Sequence, residues 1–137
     1  MIQSKKRSNC PIGYSLDIWW DKWSFLILRD LFFNGKCTYG DFRKSPEKIS
    51  TNILASRLQS LEEHAIIERM PYPDSKIKIL YGLTEKWINL FPLFVEIYLW
   101  ADKYTHIPHE IWVYFQAAKE GKEEFIKNLT EKMKNTL

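Results

Sequence analysis

Residues 50–69 read STNILASRLQSLEEHAIIER, and this stretch decides the fold. Ser50 is an N-cap residue, a hydroxyl able to accept an orphan amide of the first helical turn. Ile53, Leu54, Leu58 and Leu61 follow in steps of 1, 4 and 3, which draws one buried stripe along a helix. The opposite face carries Thr51, Asn52, Ala55, Ser56 and Gln59, small and polar and almost free of charge until Glu62. The pattern then changes to that of a strand. Ile66 to Met70 and Ile77 to Leu83 read as two β-runs joined by PYPDSK, a turn rich in Pro and Asp. Because Pro71 and Pro73 lack amide donors, the first run is expected to pair only up to about Met70.

Upstream, Ser15 is placed to cap a short helix through Leu16, Ile18 and Trp19. A second helix runs from about Lys22 to Phe33, with Trp23, Leu26, Ile27 and Leu31 at helical spacing, and Asn34-Gly35 stops it. Thr38 opens a helix of about two turns, TYGDFRKS, which Pro46 closes. Downstream, Thr84 caps a long helix from Glu85 to about Lys103, and Pro92 should bend or loosen it. Thr105 to Leu137 reads as further amphipathic helix, with Ile111, Phe115, Ala118, Phe125, Leu129 and Met133 on one side and a break at Gly121. The order is helix, helix, short helix, capped helix, hairpin, helix. The expected fold class is therefore mainly α with a small β-hairpin wing, a winged helix-turn-helix whose long terminal helices form a dimer layer. Residues 1–104 would make the DNA-binding domain, and 105–137 a helical extension packing on that layer.

Composition agrees with this class. At 137 residues, 45% hydrophobic and 27% charged, the chain has the make-up of one soluble domain. Aromatics reach 15% with six Trp, a density that suits a bulky core, an oligomer interface, or both. The net charge of +3 is unevenly spread: the first sixty residues sum to +5 and the remainder to −2. A basic half is what a phosphate-facing surface requires. Cys10 and Cys37 do not make a disulfide framework of the secreted kind. The basic cluster Lys5, Lys6, Arg7 is followed by no apolar run, so no signal peptide is visible. The longest strongly apolar stretch, Trp87 to Val95, is nine residues and contains Pro92, too short to span a bilayer. These features place the chain in the cytoplasm, with reduced thiols and no membrane partner.

A helix that reads DNA must anchor one face and bring the other close to base edges, where carboxylates would repel phosphate. Ser50, Thr51, Asn52, Ser56 and Gln59 satisfy this; Asn52 and Gln59 suit adenine, and Thr51 a thymine methyl. Thr38, Lys48 and Arg57 complete the set around this helix, with Lys36, Arg43 and Lys44 nearby. On the wing, Lys76 and Lys78 alternate with Ile77 and Ile79, which puts both cations on one strand face, toward phosphate or as charges that discourage strand aggregation.

Over roughly Cys10 to Trp100 the sequence resembles the HxlR-type transcriptional regulators of the winged-helix class. The resemblance is carried by Cys10-Pro11 followed by SLDIWWDKWSFLILRDLF, by ISTNILASRLQSLEEHAIIER, by YGLTE (Tyr81 to Glu85) and by Trp100. There are departures: Trp20 and Asp21 replace a usual Gly pair, and Ala65 and Trp87 each replace a Gly. Thr38-Tyr39 stand for a common Arg-Phe, and Lys76-Ile77 for a frequent Pro pair. The resemblance implies a homodimer on a roughly palindromic double-stranded operator, with terminal helices at the interface. It also aligns Cys10 with a cysteine that serves some members as a redox or electrophile sensor.

The aromatic residues support dimerisation independently. Trp87 to Trp100 carry too many rings for one buried stripe, and a helix apolar over most of its circumference needs cover on two sides. Trp19, Trp20, Phe91, Phe94, Tyr98 and Trp100 are the candidate interface residues; the C-terminal tail is the rival cover. A thiolate at Cys10 near Lys5, Lys6 and Arg7 would have a lowered pKa, while packing beside Pro11 is the plainer role. His106 and His109 in HIPHE are separated by Pro108 and belong to a loop before the tail helix, not to a metal site. No phosphate-cradling Gly loop, metal-ligand set or nucleophile elbow is present, so neither an enzyme nor a cofactor is expected. The expectation is a dimeric sequence-specific regulator, with a small-molecule effector admissible in the aromatic region. The alternative is a winged helix used for protein–protein assembly without sequence-specific DNA binding.

Overall fold

Asp21 sets the start of the long second helix by accepting the amides of Trp23 (3.1 Å) and Ser24 (3.0 Å) on one carboxylate oxygen. The computed structural model describes residues 9–135, and the basic cluster Lys5, Lys6, Arg7 lies outside them. The elements in chain order are α1 (Pro11–Leu16), α2 (Lys22–Asn34), β1 (Cys37–Thr38), α3 (Tyr39–Arg43), α4 (Thr51–Glu63), β2 (Ile67–Tyr72) and β3 (Ser75–Leu83). After them come α5 (Glu85–Ile88), α6 (Pro92–Tyr104), α7 (His109–Glu120) and α8 (Lys122–Lys134). The chain divides after Thr84 into two compact units.

In the first unit Ile27, Leu28 and Leu31 of α2, Phe42 of α3, Leu54, Leu58 and Leu61 of α4, and Ile67 of β2 are all buried. The three strands form one antiparallel sheet in the order β1-β3-β2. Cys37 and Thr38 pair with Tyr81 and Leu80, a short third strand that the alternation of the sequence does not announce. Winged-helix architecture is the result: four helices with a three-stranded antiparallel sheet.

Three local expectations are corrected. Helix α1 begins at Pro11, whose fixed φ favours the first helical position, so Ser15 lies inside the helix and not at its cap. The Ser15 hydroxyl donates to the Ile12 carbonyl (2.7 Å) and accepts from the Trp20 indole (2.8 Å). Pairing of β2 continues past Met70 through Pro71, opposite Ile79; β2 is an edge strand, where a missing amide is tolerated. Directly before α5, the Thr84 hydroxyl also donates to the carbonyls of Ala65 (2.6 Å) and Ile66 (3.0 Å), tying the end of β3 to the start of β2. The helix expected from Glu85 to Lys103 is two helices, because Pro92 starts α6 instead of bending a continuous one.

The second unit is held by rings. Tyr98 stacks on Phe115 at 4.5 Å, Phe125 lies against both Phe91 (6.4 Å) and Phe115 (5.9 Å), and Trp87 meets Phe94 edge-on at 5.7 Å. Lys119–Asp102, Lys122–Glu96 and Lys134–Glu85 bridge its helices. Such exposed pairs contribute about 0–1 kcal/mol each, so packing of the rings dominates. Helices α7 and α8 part at Gly121, as the periodicity of the tail indicates. Among the described residues no helix is long and apolar enough to cross a membrane.

Candidate nucleic-acid interface

Helix α4 presents two faces of different kinds. Leu54, Leu58 and Leu61 are buried, with 0–2% exposure, whereas Thr51, Asn52, Ala55, Ser56 and Gln59 are exposed. The Ser50 hydroxyl accepts the Ile53 amide at 3.3 Å and makes the cap expected of it. The phenol of Tyr39 donates to the Thr51 carbonyl at 2.9 Å, so α3 grips the first turn of α4.

The turn between α3 and α4 is anchored to α2 by a charged network. Arg29 grips Glu47 with two nitrogens, at 2.6 and 2.8 Å, and also reaches Asp30 (2.8 Å) and the Ser45 hydroxyl (3.0 Å). Ser45 in turn donates to Asp30 at 2.6 Å. Hydrogen bonds from Arg29 hold the Glu47 carboxyl down at about 2. This fork-to-fork grip fixes how α4 leaves the turn. Just before α4, Lys48 is exposed and takes a left-handed φ of 53°.

The side chains expected at DNA have differing local roles. Thr38 forms a capping box for α3: its hydroxyl accepts the Asp41 amide at 3.2 Å, and its own amide donates to the Asp41 carboxylate at 2.8 Å. Arg57 donates to Asp21 at 3.0 Å, tying α4 to the cap of α2. Burial opposes ionisation of Asp21, but the hydrogen bonds from Ser24 and the Arg57 cation prevail and lower its pKa. The Gln59 amide donates to Glu63 at 3.2 Å, one turn on. Ser50, Thr51, Asn52 and Ser56 lie at the N-terminal part of α4, the end that a recognition helix presents to base edges.

On the wing, Lys76 and Lys78 are exposed, and the Lys78 ammonium sits 5.4 Å from the Tyr72 ring centroid. Ile77 between them is 92% exposed. Tyr72 pairs with Ser75 and Pro71 with Ile79, so residues 76–78 of β3 bulge out of the ladder.

Of the six rings expected at a dimer interface, Trp19, Phe91, Phe94 and Tyr98 are buried within one chain, while Trp20 and Trp100 are 45% and 63% exposed. Trp20 stacks on Trp19 (4.8 Å) and Phe25 (5.8 Å). Cys10 is exposed, and the amides of Gly13 and Ile12 lower its thiol pKa. Cys37 is buried, and burial, with the carboxylates of Asp41 and Asp30, pushes its thiol up to about 12. His109 begins α7 directly after Pro108, and among the described residues no three potential ligands gather for a metal.

The residues that sequence reasoning missed are Asp21, Tyr39, Arg29 and Glu47, which position α4. Only Asp21 carries a local signal, an acidic side chain directly before an apolar helix.

A family model of the HxlR-like helix-turn-helix matches residues 18–108. The HTH-type transcriptional regulator YodB of Bacillus subtilis is 35% identical over 83 residues, which cover 61% of this chain and 73% of YodB. The solved structure of PA1607, described as a transcription factor, superposes with a TM-score of 0.64 at 40% identity, covering 76% of this chain and 71% of that one. The redox regulator HypR in its oxidised form gives a TM-score of 0.62 at 26% identity, over 72% of this chain and 100% of HypR. With a capped α4, a three-stranded wing and a family match running through both, the chain belongs to the HxlR-like helix-turn-helix family of transcription regulators.

Proposed function

We propose that the protein is a homodimeric, sequence-specific regulator that reads a roughly palindromic operator with α4 in the major groove and its wing on the adjacent backbone. One observation carries this reading: α4 buries Leu54, Leu58 and Leu61 while exposing Thr51, Asn52, Ser56 and Gln59. Lys48, Lys76 and Lys78 supply phosphate contacts, and Thr38 braces α3 beside them. Arg57 orients through Asp21 and acts at the edge of the contact. Each unit offers an outward ring to the dimer contact: Trp20, stacked on Trp19, in the first, and Trp100, on the helix that carries Phe94 and Tyr98 and follows Phe91, in the second. Residues 105–137 extend that layer, since α7 leaves Ile111, Trp112, Val113 and Tyr114 at 36–46% exposure around its circumference. A small-molecule effector would bind among these aromatic residues.

Cys10 is the thiol suited to sense an oxidant or electrophile: exposed, with a lowered pKa, in a chain similar to the redox regulator HypR. Recovery of genomic fragments bound by the protein, with and without a thiol oxidant, tests the whole reading. Specific fragments should be recovered, and oxidant should change their occupancy in the native chain but not in Cys10→Ser. If no fragment binds more tightly than random duplex at low and moderate salt, the DNA reading fails and protein–protein assembly takes its place.

The wing gives a separate expectation. Changing Lys76 and Lys78 together to alanine should weaken binding to every sequence alike. It should also lower the slope of log K against log salt by about 1.8, since each lost phosphate contact removes about 0.9. Titration at three or more salt concentrations reads the slope, and an unaltered slope removes the wing from the phosphates.

A further inference from the structure

Helix α6 carries a mixed aromatic and charged face that α7 and α8 turn into one wall of a cleft. Glu96, Trp100 and Lys103 follow at steps of 4 and 3 and so share a face of α6, with Leu99 and Tyr104 beside them. Opposite stand Ala118 and Lys119 of α7 and Lys122 of α8, where those helices part at Gly121. Ala118 is buried, and its short side chain leaves room between the walls. The cleft encloses about 590 Å³, within the roughly 300–1,000 Å³ of small-molecule sites. Both α7 and α8 lie beyond residues 18–108, so the segment matched by the family model does not build this cleft by itself.

The charges lining the cleft select an occupant. Asp102 pairs with Lys119, and Glu96 with Lys122 at 2.6 Å, so both carboxylates are already matched. Lys103 also lines the cleft, and among the described residues no carboxylate pairs with it. The rings of Trp100 and Tyr104 are 63% and 71% exposed, with centroids 5.8 Å apart. One surplus cation beside two open rings suits a flat aromatic group that bears a carboxylate. A cationic occupant would find both carboxylates taken and Lys103 repelling it. The last carbonyls of α6 disfavour an anion, but Thr105 blunts this end by donating to the Ala101 carbonyl from its hydroxyl (2.9 Å) and its amide (2.8 Å).

We infer that the cleft between α6 and the α7–α8 junction binds a planar aromatic carboxylate, with Trp100 and Tyr104 against its ring and the Lys103 ammonium on its carboxylate. This rests on the reading above in which a small molecule binds among the aromatic residues, and it names the site and the chemical class. Trp100 also belongs to the proposed dimer contact, so the site borders that contact.

The probe is 2-naphthoate, titrated calorimetrically into the full chain without DNA, beside 2-naphthylmethylammonium and octanoate at the same ionic strength. The native protein should bind 2-naphthoate at one site per chain, and the cationic and aliphatic probes at least about tenfold more weakly. Lys103→Gln should weaken 2-naphthoate about tenfold or more, and Lys103→Glu further still. Tyr104→Ala should weaken it roughly 2- to 10-fold, while Tyr104→Phe should bind as the native chain does. Lys127→Gln, at an exposed lysine outside the cleft, should change nothing. Thermal melting of all these variants should match the native chain, since each substituted side chain is exposed. If the native protein does not bind 2-naphthoate, if the three probes bind alike, or if Lys103→Gln binds as the native chain does, the site is wrong. Because the titration contains no DNA, none of these results touches the DNA reading, which recovery of genomic fragments decides. A protein that recovers no specific fragment yet binds 2-naphthoate in this pattern keeps the site and loses the DNA reading.

Discussion

Asn52→Ala is expected to lower affinity for a specifically bound fragment by roughly 5- to 150-fold, while binding to random duplex changes little. Asn52 is exposed in the first turn of α4, and among the described residues no hydrogen bond engages its side chain. Its carboxamide offers one acceptor and two donors, the pairing that adenine presents in the major groove. Loss of that pair removes base discrimination and leaves the lysine–phosphate term intact, so the specific and random affinities should converge. Competition titrations at fixed salt measure both. An equal loss on both kinds of DNA would mark Asn52 as a backbone contact, and no loss on either would take α4 out of the major groove.

Leu54→Ala, two residues further along the same helix, should do the opposite. Leu54 is fully buried, so truncation leaves a cavity and should cost about 2–5 kcal/mol. Total stability of a domain is about 5–15 kcal/mol, so this loss removes a large share of it. Denaturant unfolding should give a lower midpoint with an unchanged slope. Binding by the fraction that remains folded should keep its sequence preference. Asn52→Ala, by contrast, should move the midpoint by no more than about 0.5 kcal/mol, as surface changes usually do. A shift below about 1 kcal/mol for Leu54→Ala would contradict the packing of α4. The two variants together separate what the helix holds from what it reads.

Much of α4 and the wing is legible from neighbouring residues alone. Ser50 caps where a serine before an apolar stripe should cap, and the stripe itself names Leu54, Leu58 and Leu61 as core. Gly35, with φ of 73°, ends α2 where Asn34-Gly35 indicates. Ala65 shows how far such reasoning goes. The resemblance places a glycine there, and the backbone keeps a left-handed φ of 57° despite the methyl group. For a non-glycine residue that conformation costs about 1–2 kcal/mol. The turn survives because Thr84 holds the Ala65 and Ile66 carbonyls from the end of β3.

The sequence 50–69 by itself determined that a capped amphipathic helix with a polar outer face leads into a strand. Caps and stripes depend on atoms within one turn, and those atoms are neighbours in the chain. Only the tertiary structure decided how that helix is aimed. Arg29 meets Glu47 across 18 residues and Arg57 meets Asp21 across 36. Neither pair has any periodicity that could have named it. The same holds for the β1 strand and for the bulge at 76–78, since pairing register is a property of two segments and not of one. It holds also for the rings: hydrophobicity marked Phe91, Phe94 and Tyr98 as buried by something, and only packing showed that one chain covers them and leaves Trp100 outside.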